Sequence, residues 1–485
     1  MSKEKAAAAG LWSGADILLR QGVQFFVSLT LARLLSPSDF GVIALLTLFS
    51  SVSMVFADSG MSVALIRKQD STQEEETSVF WFNLAVGLLC AGALLLAAPY
   101  VAQFYGQPVL HPLMAVAAAQ VVIAALGAVQ SALLMRGLRF RRLLLVGALA
   151  TSISGALGIG LALSGFGVWS LAWQMLAIST TTTLSLWFVG GWRPSLSFEF
   201  AHLRALFRFS VNLLLSSLLD VSYNQGFSAI VGKLYGMGDL GFYNRGSGVQ
   251  GLASGMLSTL IGRVTLPLFS ARADDPAALR RAVSLALRAA MAINVPAMIG
   301  LAALADLVVV TLFGERWRPS APILSVLALY GLLWPVHVIN LQALLARGDS
   351  RTYLKLEIAK QSTGLVTMIV GSFFGIMGLA WSQVVFGVIA AFINAASSRR
   401  FLNYGIRTQI IELSGIFAAA AVMGAAVLFA RKVLALSPPF ELAAMIAFGA
   451  VVYIGGGLAF RLTIFTEFKE MLCNIAFAGR KRESQ

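Results

Sequence analysis

The sequence predicts an all-α integral membrane protein with about 14 transmembrane helices. Hydrophobic residues make up 58% of the 485 residues, charged residues make up 12%, and the mean hydropathy is +0.81. Soluble domains carry about 25% charged residues, so this composition indicates a chain that lies largely in lipid. Apolar runs of roughly 20 residues recur along the sequence, and this is the helical length that crosses a hydrocarbon core.

The apolar runs are assigned as membrane helices in chain order, with short turns between them. The predicted helices span residues 10–35, 40–66, 77–102, 109–135, 143–164, 168–190, 206–231, 240–265, 284–311, 320–346, 356–376, 378–398, 410–431 and 438–462. The last segment, residues 463–485, has apolar side chains followed by a basic run, and it predicts a helix on the membrane surface. An even number of crossings leaves both termini on the same side.

Basic residues identify that side as the cytoplasm. With both termini inside, 26 Lys and Arg residues fall in inner segments and five in outer loops. Cytoplasmic loops of membrane proteins carry this excess, so topology explains the net charge of +14 and nucleic-acid binding is not needed to explain it. Lys3 and Lys5 precede an apolar stretch that Asp16 and Arg20 interrupt, which fits a retained first helix better than a cleaved signal peptide.

Short motifs recur about 200 residues apart. ARLLSPSDFG at 32–41 returns as GKLYGMGDLG at 232–241, and ALLMRGLRFRRLLL at 132–145 returns as ALLARGDSRTYLKL at 343–356. Further matches in the same order predict two copies of a six-helix unit. Because each copy crosses the membrane six times, both copies begin on the same side, so the repeat is parallel.

The repeat divides the chain into predicted domains. They are an N-lobe at 1–190, a cytoplasmic linker at 191–205, a C-lobe at 206–403, helices 13 and 14 at 404–462, and a cytoplasmic interfacial tail at 463–485. Two bundles with little extramembrane mass are typical of a transporter with its substrate site near the midplane. The sequence has no nucleotide-binding motif, and its three histidines have no metal-ligand spacing.

Polar side chains follow at steps of four on the first helix of each copy. Helix 1 carries Asp16, Arg20 and Gln24, and helix 7 carries Asp220 and Asn224. Each set shares a helix face. We predict that both sets line a central substrate cavity, because ionisable residues at membrane depth usually face the interior. The alternative is that they are hydrogen-bonding contacts between helices.

Three points remain open within this site. Arg20 and Asp220 occupy equivalent positions, and they either pair with each other or share a substrate site. Arg245 on helix 8 is a further candidate for binding substrate. Coupling to a proton or sodium gradient is assigned to Asp16 or Asp58, although Asp58 is equally suited to capping or bending its helix. No metal or other cofactor is expected.

The motifs LARLLSPSDFG, ADSGMSVALIRKQD, FWFN at 80–83 and RGLRFRRL at 136–143 resemble the polysaccharide transporter family. They are most similar to its colanic-acid-exporter-like flippases of lipid-linked oligosaccharides, within the MOP superfamily. The resemblance implies a MATE-like fold of two six-helix lobes in the bacterial inner membrane. It also implies a substrate, an oligosaccharide on undecaprenyl diphosphate that is flipped to the periplasmic leaflet for exopolysaccharide, O-antigen or capsule synthesis. Cationic cavities described for the family fit Arg20 and Arg245, while Asp16, Asp58 and Asp220 depart from them.

The resemblance also defines partners and competing functions. Membrane lipids are expected partners, and so are the polymerase and chain-length proteins of the same pathway. The first alternative is an exporter of drugs or of another lipid-linked substrate in the same superfamily. The second alternative is a membrane polysaccharide polymerase, an enzyme expected to have a large periplasmic loop that this sequence lacks. A structural scaffold would not need two matched polar faces.

Overall fold

The protein is described by a computed structural model that covers residues 21–68, 70–347, 350–433 and 437–459. Every regular element within these residues is a helix. Nine helical spans among them are long and apolar enough to cross a membrane, and one of these spans, Ser320–Ala346, consists of two helices. The predicted all-α membrane fold class is therefore confirmed. Asp16, Arg20 and the predicted tail at 463–485 lie outside the described residues, and the count of 14 crossings stays a prediction.

The helices are numbered in chain order. They are α1 (21–34), α2 (Pro37–Asp58), α3 (Met61–Arg67), α4 (Gln73–Tyr105), α5 (Leu110–Arg136), α6 (Phe140–Leu163), α7 (Val168–Gly190), α8 (Phe200–Leu234), α9 (Met237–Ser270), α10 (Pro276–Ala303), α11 (Ala305–Phe313), α12 (Ser320–Gly331), α13 (Trp334–Ala346), α14 (Ser350–Ser372), α15 (Gly375–Leu402), α16 (Ile406–Val433) and α17 (Pro438–Ala459). A 3-10 turn, Glu315–Trp317, lies between α11 and α12.

Local sequence explains where α2 begins. The Ser36 hydroxyl accepts a hydrogen bond from the backbone N–H of Asp39 at 3.2 Å, and the Asp39 carboxylate accepts one from the Ser36 N–H at 2.9 Å. This reciprocal capping box satisfies two N–H groups that the first turn of a helix leaves free. Pro37 occupies the first helical position, where its missing N–H costs nothing.

Three predicted helices are each broken in two. The predicted helix 40–66 divides at Ser59 and Gly60, which both have left-handed backbone angles (φ 48° and 72°). The predicted helix 284–311 divides at Leu304. These interruptions of one or two residues do not alter the apolar pattern, so hydropathy alone does not reveal them.

The third break, between α12 and α13, is stabilised by a side chain from another helix. Pro335 has no N–H to donate to the carbonyl of Gly331 one turn earlier. The buried Asn294 of α10 donates to the carbonyl oxygens of Gly331 at 2.9 Å and Leu332 at 3.0 Å instead. A backbone group buried without a partner would cost about 1–3 kcal/mol, so this amide makes the break tolerable.

Packing divides the chain between Asn244 and Arg245 into two compact units. In the first unit, α5 packs against α4 and α7, and α8 runs along α2, α3 and α4. In the second unit, α10 packs against α12, α13 and α16, and α17 packs against α16 and α11. The lobe boundaries at 1–190 and 206–403 derive from the sequence repeat and stay a prediction.

The segment before α8 is bound to α4. Gln73 donates to the carbonyl of Arg193 at 2.7 Å, the Trp81 indole donates to the carbonyl of Ser195 at 2.9 Å, and the backbone N–H of Glu199 donates to Ser78 at 3.1 Å. Because α8 begins at Phe200, the non-helical part of the predicted linker 191–205 is residues 191–199. Side chains of the first unit therefore fix its path.

Candidate functional site

The two repeated motifs meet in the first unit, at the beginnings of α2 and α9. A Cβ atom added to Gly41 would lie 1.9 Å from the carbonyl oxygen of Met237. A Cβ atom added to Gly241 would lie 1.9 Å from the carbonyl oxygen of Pro37. The contact is reciprocal, because each motif supplies one glycine and one carbonyl at equivalent positions. Only residues without a side chain allow two helix backbones to approach this closely. We call this contact the glycine crossing.

The end of α8 is fixed beside the glycine crossing. A Cβ atom on Gly232 would lie 2.9 Å from Leu45 Cδ2 of α2 and 3.1 Å from Leu240 Cδ2 of α9. The Lys233 ammonium lies 4.1 Å from the centre of the Phe104 ring and donates a hydrogen bond to the Phe104 carbonyl. One glycine and one cation therefore hold the end of α8 against α2 and α4.

The predicted polar face of α8 is exposed. Asp220 and Asn224 are both exposed, and Asn224 Nδ2 donates to Asp220 Oδ1 at 3.1 Å. Within the described part of the chain, no cation pairs with Asp220. Gln24 of α1 is exposed as well. These side chains are therefore not packed between helices, whereas Asp16 and Arg20 lie outside the described residues.

Burial changes along α8 beyond this face. Phe227 is 6% exposed, Ser228 is 5% exposed and Val231 is fully buried. The Ser228 hydroxyl donates to Asn244 Oδ1 at 3.4 Å. The polar face is thus exposed at the middle of α8, and the helix becomes buried toward the glycine crossing.

Asp58 lies at the break between α2 and α3 and not on an open polar surface. Its carboxylate accepts hydrogen bonds from the Ser62 hydroxyl and from the backbone N–H groups of Gly60 and Ser62. A carboxylate that satisfies the first N–H groups of the following turn acts as a helix cap. The geometry therefore supports the capping interpretation of Asp58.

Arg245 lies between two aromatic rings in the second unit. Its guanidinium carbon is 4.7 Å from the centre of the Phe313 ring and 4.8 Å from the centre of the Trp317 ring. Trp317 is fully buried. Stacking on aromatic faces is a favourable environment for a guanidinium group, so Arg245 has a packing role that the sequence does not reveal. The prediction that it binds substrate is not tested by this packing.

An apolar groove of about 500 Å³ lies between α10, α11, α16 and α17. Its lining is almost entirely aliphatic and includes Ala297, Gly300, Val427 and Met445. The Tyr453 hydroxyl at this groove donates to the carbonyl of Ala292 at 2.9 Å, so its polar atom is satisfied within the protein. The groove therefore presents hydrocarbon to any occupant.

Ion pairs stand beside this groove, at one end of α11. Arg318 lies 2.7 Å from the Glu315 carboxylate and 3.2 Å from that of Asp306, and Arg431 lies 3.1 Å from that of Glu441. Hydrogen bonds from Arg318 lower the pKa of Glu315. The exposed pairs of Arg318 stabilise little. Arg431 also lies 3.9 Å from the Asp306 carboxylate, so its pairs connect α11, α16 and α17.

The sequence offers His337 only as an isolated histidine, and the structure places it among buried polar side chains of the second unit. The His337 ring contacts Asn394 Nδ2 at 3.1 Å and is hydrogen-bonded to the backbone of Gly387. Lys360, 8% exposed, pairs with Glu357 at 2.5 Å in the same unit. The spacing of three residues between Glu357 and Lys360 on one helix is the feature of the sequence that indicates this ion pair.

Comparison with known proteins reveals sequence relatives. A family model described as "Polysaccharide biosynthesis protein" matches residues 30–322. The succinoglycan biosynthesis transport protein ExoT of Rhizobium meliloti is 29% identical over 65% of this chain and 64% of its own length. The lipopolysaccharide biosynthesis protein WzxC of Escherichia coli is 24% identical over 76% of this chain and 75% of its own. The chain thus spans just under two thirds of the length of the first of these relatives.

Solved structures with the same fold include transporters. The lipid II flippase MurJ in an inward closed conformation matches with a TM-score of 0.77 at 15% identity, covering 93% of this chain and 99% of its own. A multidrug resistance MATE family transporter of the MOP superfamily, inward-facing, matches with a TM-score of 0.62 at 16% identity, covering 80% and 98%. At these identities the likeness establishes the MATE-like fold. The proteins named in these comparisons are described as transporters, a flippase and biosynthesis proteins, in agreement with the prediction of a transporter and not an enzyme.

Proposed function

Because the chain belongs to the polysaccharide biosynthesis protein family, we propose that it flips undecaprenyl-diphosphate-linked oligosaccharide units across the bacterial inner membrane. The units move from the cytoplasmic to the periplasmic leaflet by alternating access and feed the synthesis of an exopolysaccharide, O-antigen or capsule. Both termini are cytoplasmic in this proposal, and the polymerase and chain-length proteins of the pathway take up the product.

The apolar groove carries the proposal. A substrate with a polyprenyl tail needs a hydrocarbon surface beside the path of its polar head, and a soluble substrate does not. Two of the helices that line the groove, α16 and α17, correspond to the predicted helices 13 and 14, which lie outside the repeat. Its aliphatic lining suits a lipid chain, because each buried CH2 group contributes roughly 0.8 kcal/mol.

The polar face of α8 supports the other half of the proposal. A diphosphate sugar cannot cross hydrocarbon unaided, since unsatisfied polar groups and buried charges cost several kcal/mol each. Asp220, Asn224 and Gln24 are exposed and offer hydrogen bonds to sugar hydroxyls. Arg20 and Arg245 are proposed as the diphosphate contacts, because a guanidinium group binds phosphate in a bidentate manner. Asp16 is proposed as the group that couples transport to a proton or sodium gradient.

The test is deletion of the gene followed by complementation. We expect the deletion strain to lose the polysaccharide and to accumulate undecaprenyl-diphosphate-linked repeat units facing the cytoplasm. Normal polysaccharide combined with new sensitivity to cationic drugs would assign the chain to drug export. Accumulation of units on the periplasmic side would assign it to polymerisation.

A pair of matched variants tests the groove. Gly300→Leu fills the groove, and it should reduce export because the tail has less room. Gly455→Leu adds the same side chain to α17 where a Cβ atom has nothing within 4 Å, and it should leave export unchanged. Equal export by the two variants, at equal protein levels, would remove the groove from the proposal.

A further inference from the structure

The glycine crossing lies between the polar face of α8 and the outer surface. The turns before α2 and α9 are predicted to be periplasmic, from the same charge asymmetry that places the termini inside. Asn224 lies ten residues before the end of α8, which is about 15 Å along a helix. The exposed face of α8 thus lies on the cytoplasmic side of the glycine crossing, and the buried Ser228 and Val231 lie between the two.

We propose that the glycine crossing is the outer latch of the transporter, the contact that keeps the periplasmic exit closed and that separates when cargo is released. This inference rests on the proposed transport by alternating access. Gly41 and Gly241 are then positioning residues that touch no substrate. They set the distance between α2 and α9. This distance determines whether the polar face of α8 is accessible from the periplasm or from the cytoplasm.

The contact is suited to a latch because its two halves are equivalent and both consist of backbone atoms. The oxygens of Pro37 and Met237 are in position to accept Cα–H contacts from Gly241 and Gly41, and such contacts contribute about 0.5–1 kcal/mol each. Total interaction energy is therefore modest, so the latch can open within a transport cycle. Neither of the two contacts involves a side chain, and the two contacts are lost or regained together.

The inner contact, between the break that follows α2 and the helix α8, is built differently. A Cβ atom on Gly60 would lie 2.8 Å from the carbonyl oxygen of Ser210, so the backbones are close at one glycine only. The Ser210 hydroxyl reaches the Gly60 carbonyl at 3.5 Å and the Met61 sulfur at 3.4 Å, both long contacts. The reciprocal backbone contact on the outer side, between α2 and α9, is accordingly closer than this inner contact with α8.

The latch predicts the effect of a single methyl group. With a Cβ atom in place of a glycine hydrogen, the separation from the facing carbonyl oxygen must grow by at least 1.1 Å, from 1.9 Å to 3.0 Å, the shortest contact that a Cβ atom tolerates. Neither neighbour is a flexible side chain, so α2 and α9 must move apart. Gly41→Ala and Gly241→Ala should therefore favour the state that is open to the periplasm.

Thiol labelling measures that state. The reporter is Leu45→Cys, because Leu45 is fully buried and packs beside the crossing, in a chain with Cys90 and Cys473 replaced by Ala. A membrane-impermeant maleimide is added to spheroplasts. We expect the labelling rate to rise about tenfold in Gly41→Ala and in Gly241→Ala, which corresponds to about 1.4 kcal/mol. The double variant should rise little further, because one methyl group already separates both contacts.

Two controls keep the result specific. Gly238→Ala adds a methyl group to the same turn of α9, where nothing lies within 4 Å, and labelling should not change. Leu110→Cys reports a second fully buried outer position, and its labelling should stay low in every variant. Unchanged labelling of Leu45→Cys, additive effects in the double variant, or equal labelling of Leu110→Cys would overturn the latch. Thiol labelling does not depend on which substrate is carried. If the proposed substrate is wrong and the latch is right, the labelling results described above should still be obtained.

Discussion

Across the break between α2 and α3, the Ser62 hydroxyl donates a hydrogen bond to the carboxylate of Asp58. The backbone N–H groups of Gly60 and Ser62 bond to the same side chain. An acidic residue at membrane depth invites assignment as a coupling group, but one whose oxygens are used by the adjacent backbone serves as a cap. The two roles predict opposite results for the same substitution.

Asp58→Asn should retain transport close to the wild-type rate. The amide oxygen accepts the hydrogen bonds that cap α3, so the break is preserved although the residue no longer titrates. Asp58→Ala removes the cap and should cost about 1 kcal/mol of stability, within a range of about 0.5–2. Export and the thermal unfolding of the purified protein are the measurements. Loss of transport in Asp58→Asn at full stability would restore Asp58 as the coupling group.

The relation between Arg20 and Asp220 is tested by exchange. A lone charge at the bilayer centre costs about 2.5–3.5 kcal/mol on insertion scales, so a pair would be favoured. If the two residues pair, Arg20→Ala should impair export and the exchange Arg20→Asp with Asp220→Arg should partly restore it. If Arg20 holds diphosphate instead, Arg20→Lys should transport weakly and the exchange should fail. Normal export by both single Ala variants would remove these residues from the site.

Asn294→Ala should destabilise the second unit. It leaves the carbonyls of Gly331 and Leu332 buried without their donor, at a cost of about 1–3 kcal/mol. Adding Pro335→Ala restores a backbone N–H that can bond to the Gly331 carbonyl, so the double variant should recover part of the loss. Thermal unfolding in detergent measures both. If Asn294→Ala unfolds at the wild-type temperature, the break does not depend on this amide.

Topology is tested by reporter fusions. Fusions at Gly106, Gly236 and Ser437 should report the periplasm, because they lie in the predicted outer loops. Fusions at Asp70, Asp274 and Tyr404 should report the cytoplasm. Inversion of every fusion after residue 190 would contradict both the crossing number and the parallel repeat.

Hydropathy and the repeat predict the fold class because apolar length and turn motifs are properties of the sequence itself. The steps of four on helix 7 predict that Asp220 and Asn224 share a face, and their exposure agrees with that prediction. The breaks at Gly60 and Pro335 are different, since a helix interrupted by one turn keeps its apolar composition. The environment of Arg245 depends on Phe313 and Trp317, about seventy residues away, so local sequence does not reveal it.

The sequence shows that the motif is repeated. It does not show that the two copies of the motif contact each other. In the sequence, Gly41 and Gly241 are only the last residues of two matching turns. Their equivalence predicts similar local structure in each copy, whereas the contact between them depends on how α2 and α9 approach each other. Long-range approach of this kind is determined by packing over the entire first unit.

The segment 191–199 limits how the chain can be divided. It follows the first six predicted crossings, so it is the obvious place to separate the gene into two halves expressed from different promoters. The hydrogen bonds from Gln73 and Trp81 to this segment mean that such a cut would sever a bound strand of the first unit. A first half that ended at residue 190 would keep Gln73 and Trp81 and lose the carbonyl groups of Arg193 and Ser195 to which they donate. The segment between the two predicted copies is thus a structural part of the first unit, and the two halves of the chain cannot be separated there without loss of these contacts.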